Sequence, residues 1–235
     1  MQVEIWADVV CPWCYVGKKR FLRVLDSFPH RDRVTVIERS YQLDPTAPPG
    51  KGMPVREMLR RKYGMGDQQL KATTEHLQAL AAAEGIPAFH PASNWSGNTR
   101  LAHELIAFAG AQGLRSAAWD RLYHAYFGEN RLIYDVEALL PLAGELGLDV
   151  DAARSALTSG AHRAEVSADI EAARQLGVRG VPFFAFDRRL AVSGAQSPEV
   201  FAGALAQAWA QGGGAAIPEA AADGACDDDG CATAK

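Results

Sequence analysis

Three things are scarce in this sequence of 235 residues: cysteine, clustered basic charge and long apolar runs. Lysine and arginine total 24 against 28 acidic residues, and without a basic cluster nucleic-acid binding is not expected. No stretch approaches the ~18 consecutive apolar residues of a membrane span. The first ten residues, MQVEIWADVV, lack the basic region and apolar run of a signal peptide. We therefore expect a soluble cytoplasmic protein that binds neither nucleic acid nor membrane.

The few cysteines are grouped in two close pairs, Cys11 with Cys14 and Cys226 with Cys231. Cytosolic proteins rarely use disulfides as structural braces. Closing loops this short contributes only about 2 kcal/mol before any strain is subtracted. Reactivity or metal binding therefore explains the pairs better than bracing does.

The sequence around the first pair predicts a β-α-β unit. Residues 2–8, QVEIWAD, alternate as a strand does. Pro12 favours the first turn of a helix, which the apolar spacing extends over Trp13–Phe28. Arg33–Ser40 then reads as a second strand. Cys11 is thereby placed at a helix N-terminus, where free N–H groups and the macrodipole stabilise an anion.

This placement indicates a redox function for the C-x-x-C motif. Cys11 is predicted to be the attacking thiolate, because the thiolate is the nucleophilic form of cysteine. Cys14, one turn further into the helix, is more shielded and is predicted to resolve a mixed disulfide formed by Cys11. A zinc half-site and two ordinary buried thiols are the alternatives.

A second pattern lies far along the chain, in the segment GVRGVPFFAFDRRLAVSGAQ at residues 177–196. Phe183–Phe186 predicts a buried strand, 187–189 a tight turn and 190–192 another short strand. Ser197 and Pro198 then suit the N-cap and first position of a last helix.

The two patterns together resemble the DsbA family of thiol oxidoreductases, closest to its FrnE-like cytoplasmic branch. The resemblance is carried by DVVCPWCYVGKKRF, NTRLAHEL, GVRGVPFFAF and VSGAQ. It implies a thioredoxin fold in which Cys11 is the nucleophile and Cys14 the resolving thiol. It also implies a cis-proline at Pro182 that faces the two cysteines.

The predicted fold class is α/β, with a thioredoxin-like core, a large all-helical insertion and a flexible C-terminal tail. Residues 1–50 and 177–210 form the core, 51–176 the insertion and 211–235 the tail. Within the insertion, helices are predicted over 68–84, 99–112, 116–127 and 135–146, with a further apolar stripe before Gly177. Such an insertion either caps the active-site face and forms a groove or only enlarges the core.

The candidate substrate contacts are Pro12, Trp13, Asn98, Thr99 and Val181. Asn98 and Thr99 have an equal alternative as a helix cap before Arg100. Asp8, three residues before Cys11, fits either a proton acceptor or an ordinary turn residue at a strand end. His103-Glu104 begins like a zinc-protease motif, but Ala107 occupies the place of the second histidine, which excludes that class. Neither a metal nor another cofactor is expected.

The tail, QGGGAAIPEAAADGACDDDGCATAK from residue 211, is dominated by glycine, alanine and aspartate, which predicts poor order. A spacer over 211–225 with a random-coil span of about 20–23 Å would let Cys226 and Cys231 reach the active site. Three aspartates between the two cysteines disfavour thiolates, so electrons are expected to pass from the tail dithiol to an active-site disulfide. A tail metal site and an inert tail are the alternatives.

The sequence therefore predicts a thiol–disulfide oxidoreductase or isomerase that acts on protein thiols or disulfides, with glutathione or a thioredoxin-type reductant as further partners. A glutathione-dependent isomerase or transferase is an alternative, since related folds host such chemistry. Retention of both Cys11 and Cys14 argues against it, because one polar group suffices to activate glutathione. A non-enzymatic zinc module using all four cysteines is the third possibility.

Overall fold

The computed structural model describes residues 1–212 together with 226–227 and 230–231. The strands, in chain order, are β1 Gln2–Ala7, β2 Thr35–Ser40, β3 Lys51–Pro54, β4 Trp95–Gly97, β5 Phe183–Phe186, β6 Leu190–Ser193, β7 Cys226–Asp227 and β8 Gly230–Cys231. The helices are α1 Pro12–Asp26, α2 Val55–Tyr63, α3 Asp67–Ala83, α4 Arg100–Gly110, α5 Arg115–Tyr123, α6 Val136–Glu145, α7 Val150–Ser159, α8 Arg163–Gln175 and α9 Pro198–Ala210.

The central sheet has the strand order β2-β1-β5-β6. β1 runs parallel to β2 and antiparallel to β5, and β5 and β6 form a hairpin. The predicted β-α-β unit and the late hairpin therefore meet at β1, where Ile5 pairs with Phe184. Because β1 has a neighbour on each side and helices on both faces, apolar residues occupy both of its faces rather than alternating with exposed ones.

Each face of the sheet is covered by its own apolar cluster. On one face Ile5 and Phe184 pack with Phe21 of α1 and Phe201 of α9. On the other face Trp6 packs with the helical insertion and with the cysteine pair. Side chains alternate between faces along each strand, which divides neighbouring apolar residues between the two clusters.

The last helix of the insertion, α8, is fastened to the sheet by Asp169. The Trp6 Nε1–H donates to the Asp169 carbonyl oxygen at 2.9 Å, and the Ser40 backbone N–H donates to its Oδ2 at 2.9 Å. Arg39 donates to Asp169 Oδ1 at 3.0 Å. Trp6 is thus fully buried with its polar N–H satisfied.

The insertion is mainly helical, as predicted, and it also contains the short antiparallel pair β3–β4. Gly97 allows this pair to lie close to two neighbouring loops, since a Cβ there would be 2.6 Å from the Gly50 carbonyl oxygen and 2.7 Å from the Tyr134 ring. The sequence predicted neither this pair nor α2 and α7. These elements are short and stabilised by tertiary contacts, so their periodicity is weak. Among the described residues no helix has the length and apolar character that a bilayer crossing requires.

Within the tail, the structure describes only the backbone at the cysteine pair Cys226 and Cys231. The backbones of β7 and β8 pair antiparallel, with Cys226 opposite Cys231 in the register. The predicted spacer beyond Gly212 lies outside the described residues.

Candidate active site

Cys11 occupies the N-cap of α1, directly after the loop that follows β1. Its backbone N–H donates to the Asp8 carbonyl oxygen at 3.1 Å, which closes a tight turn between strand and helix. Its Sγ accepts a hydrogen bond from the Cys14 backbone N–H at 3.3 Å. The first turn of a helix has N–H groups without backbone acceptors, so a negative charge on the Cys11 sulfur is stabilised at this position.

Cys14 lies one turn into α1 and is completely buried. Burial, together with the neighbouring Cys11 sulfur, raises the pKa of the Cys14 thiol well above its ordinary value. Both cysteines are free thiols, and Cys11 also has no measurable exposed surface. The two thiols differ in their accessibility to a ligand. Cys11 lines the wall of a pocket, whereas Cys14 does not.

The Val181–Pro182 segment faces the cysteines from the start of β5. The Val181–Pro182 peptide bond is cis. The Cys11 thiol lies 3.6 Å from the Val181 carbonyl oxygen, within the range of a sulfur hydrogen bond. Gly17 of α1 allows this approach, since a Cβ there would lie 3.1 Å from Pro182 Cγ and 3.1 Å from Ala195 Cβ.

Asp8 and His103 form a buried polar contact behind the cysteines. Asp8 Oδ1 lies 3.2 Å from His103 Nε2, and Asp8 Oδ2 accepts a hydrogen bond from the Leu43 N–H at 2.8 Å. Both side chains are buried to 1% exposure or less. The contact joins the end of β1 to helix α4 of the insertion, across 95 positions of sequence.

A pocket of about 300 Å³ opens beside Cys11, between the core and the first part of the insertion. Pro12 and Trp13 form its edge next to Cys11. Its wall is predominantly apolar and includes the side chains of Leu43, Met53, Met58, Leu59, Met65, Leu70 and Leu77. Unbranched, polarisable methionine side chains adapt to ligands of varied shape. An extended apolar group can therefore be held next to the Cys11 sulfur.

The predicted substrate contacts do not all lie in the pocket. Pro12, Trp13 and Thr99 line the pocket, whereas Val181 faces Cys11 through its backbone. Asn98 accepts hydrogen bonds from the Arg100 N–H at 3.0 Å and from Gln42 Nε2 at 3.2 Å. Its own amide donates to the Ala47 carbonyl oxygen at 2.7 Å. Asn98 thus caps the start of α4 and ties it to the loop after β2.

Within residues 1–212 and the paired tail segments, no group of three or more histidine, cysteine, aspartate or glutamate side chains is arranged to hold a metal ion. The four-cysteine zinc arrangement depends on Cys226 and Cys231, whose side chains lie outside the described part of the structure.

The fold and the cysteine pair at the start of α1 define a thioredoxin-type protein. The chain belongs to the DSBA-like thioredoxin domain family, whose model matches residues 2–206. Membership supports thiol–disulfide oxidoreductase or isomerase chemistry at the level of the family.

Similar proteins span nearly the whole chain. A probable DsbA oxidoreductase from Streptomyces coelicolor is 44% identical, with 100% of both chains covered and a TM-score of 0.87. The protein YwbO of Bacillus subtilis is 27% identical over 210 residues, 87% of this chain and 96% of that protein. The cytosolic disulfide reductase DsbM from Pseudomonas aeruginosa, solved with GSH, shares the fold at 21% identity and a TM-score of 0.59, with 89% of this chain and all of DsbM covered.

Three residues of the site gave a weak signal in the sequence or none. The spacing of Asp8 from Cys11 favours an ordinary turn residue over a proton acceptor, and His103-Glu104 matches only the beginning of a zinc motif. Gly17 lies in an ordinary helical pattern. Only the folded chain brings Asp8 to His103 and Gly17 to Pro182, so contacts between distant segments had to be known first.

Proposed function

We propose that Cys11 and Cys14 exchange disulfides with protein substrates in the cytoplasm, as a two-cysteine redox centre. The observation that carries the proposal is the position of Cys11 at the N-cap of α1. There its sulfur accepts the Cys14 N–H and lines an apolar pocket. A nucleophile with a stabilised anion, a shielded partner thiol and an adjacent binding surface are the parts that such exchange requires.

The proposed reaction has two displacement steps. The Cys11 thiolate attacks one sulfur of a substrate disulfide, which forms a Cys11–substrate disulfide and releases the other substrate sulfur as a thiolate. The Cys14 thiol then loses its proton and attacks Cys11 Sγ, forming the Cys11–Cys14 disulfide and releasing the second substrate thiolate. Two electrons pass from the pair to the substrate. The reverse sequence oxidises a substrate dithiol, and the redox poise of the compartment sets the net direction.

The apolar pocket supports extended protein segments as substrates. Apolar side chains that flank a cysteine become accessible when a protein is unfolded or incompletely folded. Such a segment would bury its apolar groups against the methionines while its sulfur meets Cys11. Burial contributes about 25 cal/mol per Å² of apolar surface. We assign Pro12, Trp13 and Thr99 as pocket contacts and the Val181 backbone as the contact on the opposite side of Cys11.

The test is a mixed-disulfide trap. A Cys14→Ser variant cannot complete the second step, so Cys11 should stay linked to its substrates. Non-reducing electrophoresis and mass spectrometry of the captured proteins should show Cys11-linked peptides rich in apolar residues. A Cys11→Ser/Cys14→Ser variant is the matched control, and equal capture by both variants would refute the role of Cys11.

We further propose that the tail pair Cys226–Cys231 exchanges electrons with the active-site pair. The first described segment ends at Gly212, near the amino-terminal end of β1, whereas Cys11 follows the carboxyl-terminal end of that strand. The six residues of β1 separate these ends by roughly 20 Å. The 13 residues from 213 to 225 span at most roughly 45 Å when extended, so the tail is long enough.

Partial oxidation tests the direction of this relay. We expect Cys226–Cys231 to be found as the disulfide while Cys11 and Cys14 remain reduced, as read by differential alkylation and mass spectrometry. Preferential oxidation of Cys11–Cys14, or equal oxidation of both pairs, would contradict the direction. Truncation after Gln211 should leave the fold intact and slow turnover with a dithiol substrate. An unchanged rate would remove the relay from the mechanism.

The proposed reductant that regenerates the dithiol is glutathione or a thioredoxin-type protein. Rapid mixing of the oxidised protein with each donor separates the two, when alkylation and mass spectrometry then follow the appearance of the Cys11 and Cys14 thiols. The donor that reduces the pair at a rate matching turnover is the partner. Failure of both donors would remove these partners from the proposal.

A further inference from the structure

Arg20 is a buried cation on α1 that neither displacement step uses. Its side chain is only 9% exposed. The guanidinium donates from Nε to Glu84 Oε1 at 2.7 Å, and from Nη1 to the carbonyl oxygens of Ala195 and Gln196 at 2.9 and 3.0 Å. One side chain therefore joins three separate parts of the chain: helix α1, the end of α3 and the loop between β6 and α9. We call these four residues the Arg20 cluster.

The loop between β6 and α9 supports the Val181–Pro182 segment. The Gly194 N–H donates to the Pro182 carbonyl oxygen at 2.8 Å. Ala195 lies against α1 at Gly17, where an added Cβ would be 3.1 Å from Ala195 Cβ and 3.1 Å from Pro182 Cγ. The loop and the Val181–Pro182 segment are therefore packed as one unit against α1, and the hydrogen bonds from α1 to the loop carbonyls hold that unit in place.

The position of this unit sets one side of the reacting site. The Val181 carbonyl oxygen lies 3.6 Å from the Cys11 sulfur. Cys11 and Arg20 belong to the same helix, so the hydrogen bonds of Arg20 fix where the Val181 backbone stands relative to that sulfur. A substrate segment that contacts the Val181 backbone while its own sulfur meets Cys11 depends on this spacing.

The other end of the Arg20 cluster reaches the wall of the apolar pocket. Glu84 is the C-cap of α3, the helix that supplies Leu70 and Leu77 to that wall. The Glu84 side chain is 3% exposed, and it also accepts a hydrogen bond on Oε2 from Arg23 at 2.9 Å. Arg20 thus connects the pocket wall on one side of Cys11 with the backbone contact on the other side.

Stability is a weak reason for this buried ion pair. The desolvation of two charges offsets much of their attraction, and well-packed apolar side chains of similar volume are often as stable. What the pair supplies is fixed geometry, because a planar guanidinium holds its N–H donors in a rigid fork. Arg20 directs part of that fork to a carboxylate on α3 and part to two carbonyls of the loop. The pocket wall and the loop are thereby held at a set separation.

We propose that Arg20 is a positioning residue for protein substrates. It holds the Val181 backbone and the pocket wall at the spacing that an extended substrate segment requires beside Cys11. The inference rests on the proposed thiol–disulfide exchange. Arg20 acts through its partners and touches neither reacting sulfur, so its loss should weaken binding of an extended substrate more than it slows the chemical step. A small disulfide without a peptide backbone should not depend on it.

Two oxidants separate positioning from reactivity: Ellman's reagent, a small aromatic disulfide, and a peptide disulfide with apolar residues beside its cysteines. The background is the full chain with Cys226→Ser and Cys231→Ser. Arg20→Met keeps an unbranched side chain and removes the fork. Because this change leaves the buried Glu84 carboxylate with one partner fewer, Arg20→Met/Glu84→Gln, which removes both charges, is measured beside it. Arg23→Gln is the matched control, since it alters the other arginine on Glu84 and leaves the loop contacts in place.

We expect both the single and the double Arg20 variant to raise KM for the peptide by about tenfold, with kcat changed less than about threefold, because a displaced binding surface weakens binding rather than chemistry. The rate constant for Ellman's reagent at Cys11 should change less than about twofold. Arg20→Lys should give an intermediate KM, since an ammonium donates to carbonyls but lacks the fork. Arg23→Gln should match the background with both oxidants.

The outcomes distinguish the inference from the function on which it rests. An unchanged peptide KM in the double variant and in Arg20→Lys overturns the positioning role and leaves the exchange intact, even where Arg20→Met does not fold. Equal slowing with both oxidants, or a lower thermal midpoint with an unchanged KM, assigns Arg20 a structural role instead. Failure of the background protein to react at Cys11 with either oxidant refutes the proposed function itself, independently of Arg20.

Discussion

The two faces of the central sheet are built from the same strands, yet they differ in what they bury. Against α1 and α9 the sheet buries an apolar cluster, in which Phe21, Phe184 and Phe201 make edge and tilted ring contacts. Against the insertion it buries the cysteine pair and Asp8. All of the buried, unpartnered side-chain polar atoms of the described residues lie on this side, on α4 and α5: His103 Nδ1, Glu104 Oε2, Trp119 Nε1, Arg121 Nη1 and Tyr123 Oη.

This difference indicates that the apolar face contributes mainly to the stability of the fold and the insertion face mainly to its reactivity. Apolar burial is non-directional and contributes free energy of folding in proportion to area. Buried polar groups instead lower stability unless they are paired, so their retention on one face indicates a functional role. Substitutions on the α9 face should therefore change the free energy of unfolding, whereas those on the insertion face should change reactivity.

Loss of the nucleophile should produce the largest effect. Cys11→Ser is expected to lower turnover of a disulfide substrate by at least about 10³-fold, because a serine hydroxyl does not replace a thiolate as the attacking group. Urea unfolding should give a nearly unchanged free energy. A turnover assay coupled to reduction of insulin disulfides measures the first quantity. A residual rate within tenfold of the wild type would show that Cys11 is not the attacking nucleophile.

Truncation on the opposite face should act on stability alone. Phe201→Ala removes a fully buried ring and is expected to lower the free energy of unfolding by about 3–5 kcal/mol. The rate of Cys11 alkylation in the remaining folded protein should stay within about twofold. Val200→Ala, on the exposed side of the same helix, is the control and should change stability by less than about 0.5 kcal/mol. A Phe201 variant with normal stability but slow alkylation of Cys11 would contradict the proposed difference between the two faces.

The apolar pocket should determine substrate preference. Met58→Lys places a charge on the pocket wall and is expected to lower kcat/KM for a disulfide peptide with aromatic flanking residues by about tenfold. The same peptide with glycine flanks should be affected less than about threefold. Gln68→Lys, exposed on α3, adds the same charge away from the pocket and serves as the control. Equal losses for both peptides would indicate that the pocket does not select substrates.

The buried Cys14 thiol should give the smallest effect, in the pH dependence of stability. Its raised pKa in the folded state means that the folded protein resists losing this proton. The contribution of this thiol to stability is complete below the pKa of a cysteine in the unfolded chain, about 8.5. It is lost as the pH rises towards the pKa of Cys14 in the folded state. Between pH 8.5 and 9.5 the reduced wild type should lose up to about 1 kcal/mol more than Cys14→Ala. Urea unfolding under reducing conditions measures this, and parallel pH profiles would contradict burial of the thiol.

Local sequence patterns predicted much of the core and of the reactive pair. The hairpin strand Phe183–Phe186 begins and ends where the apolar run does. Helix α1 begins at Pro12, whose fixed φ suits a first helical turn, and so Cys11 was correctly predicted to precede a helix. The helices of the insertion also agree with prediction within a few residues where the apolar spacing is long and regular. The β3–β4 pair and α2 did not follow from periodicity, because they are short and stabilised by distant neighbours.

The sequence by itself determined the strand–cysteine–helix order, the apolar faces and the presence of a second cysteine pair, since each depends on residues within one or two turns of each other. Only the tertiary structure decided that Asp8 meets His103, that Gly17 admits Pro182 beside the cysteines and that the methionines surround one pocket. These contacts join positions tens to more than a hundred residues apart. Their geometry depends on how the insertion packs on the sheet, and packing is a property of the whole folded chain rather than of any local pattern.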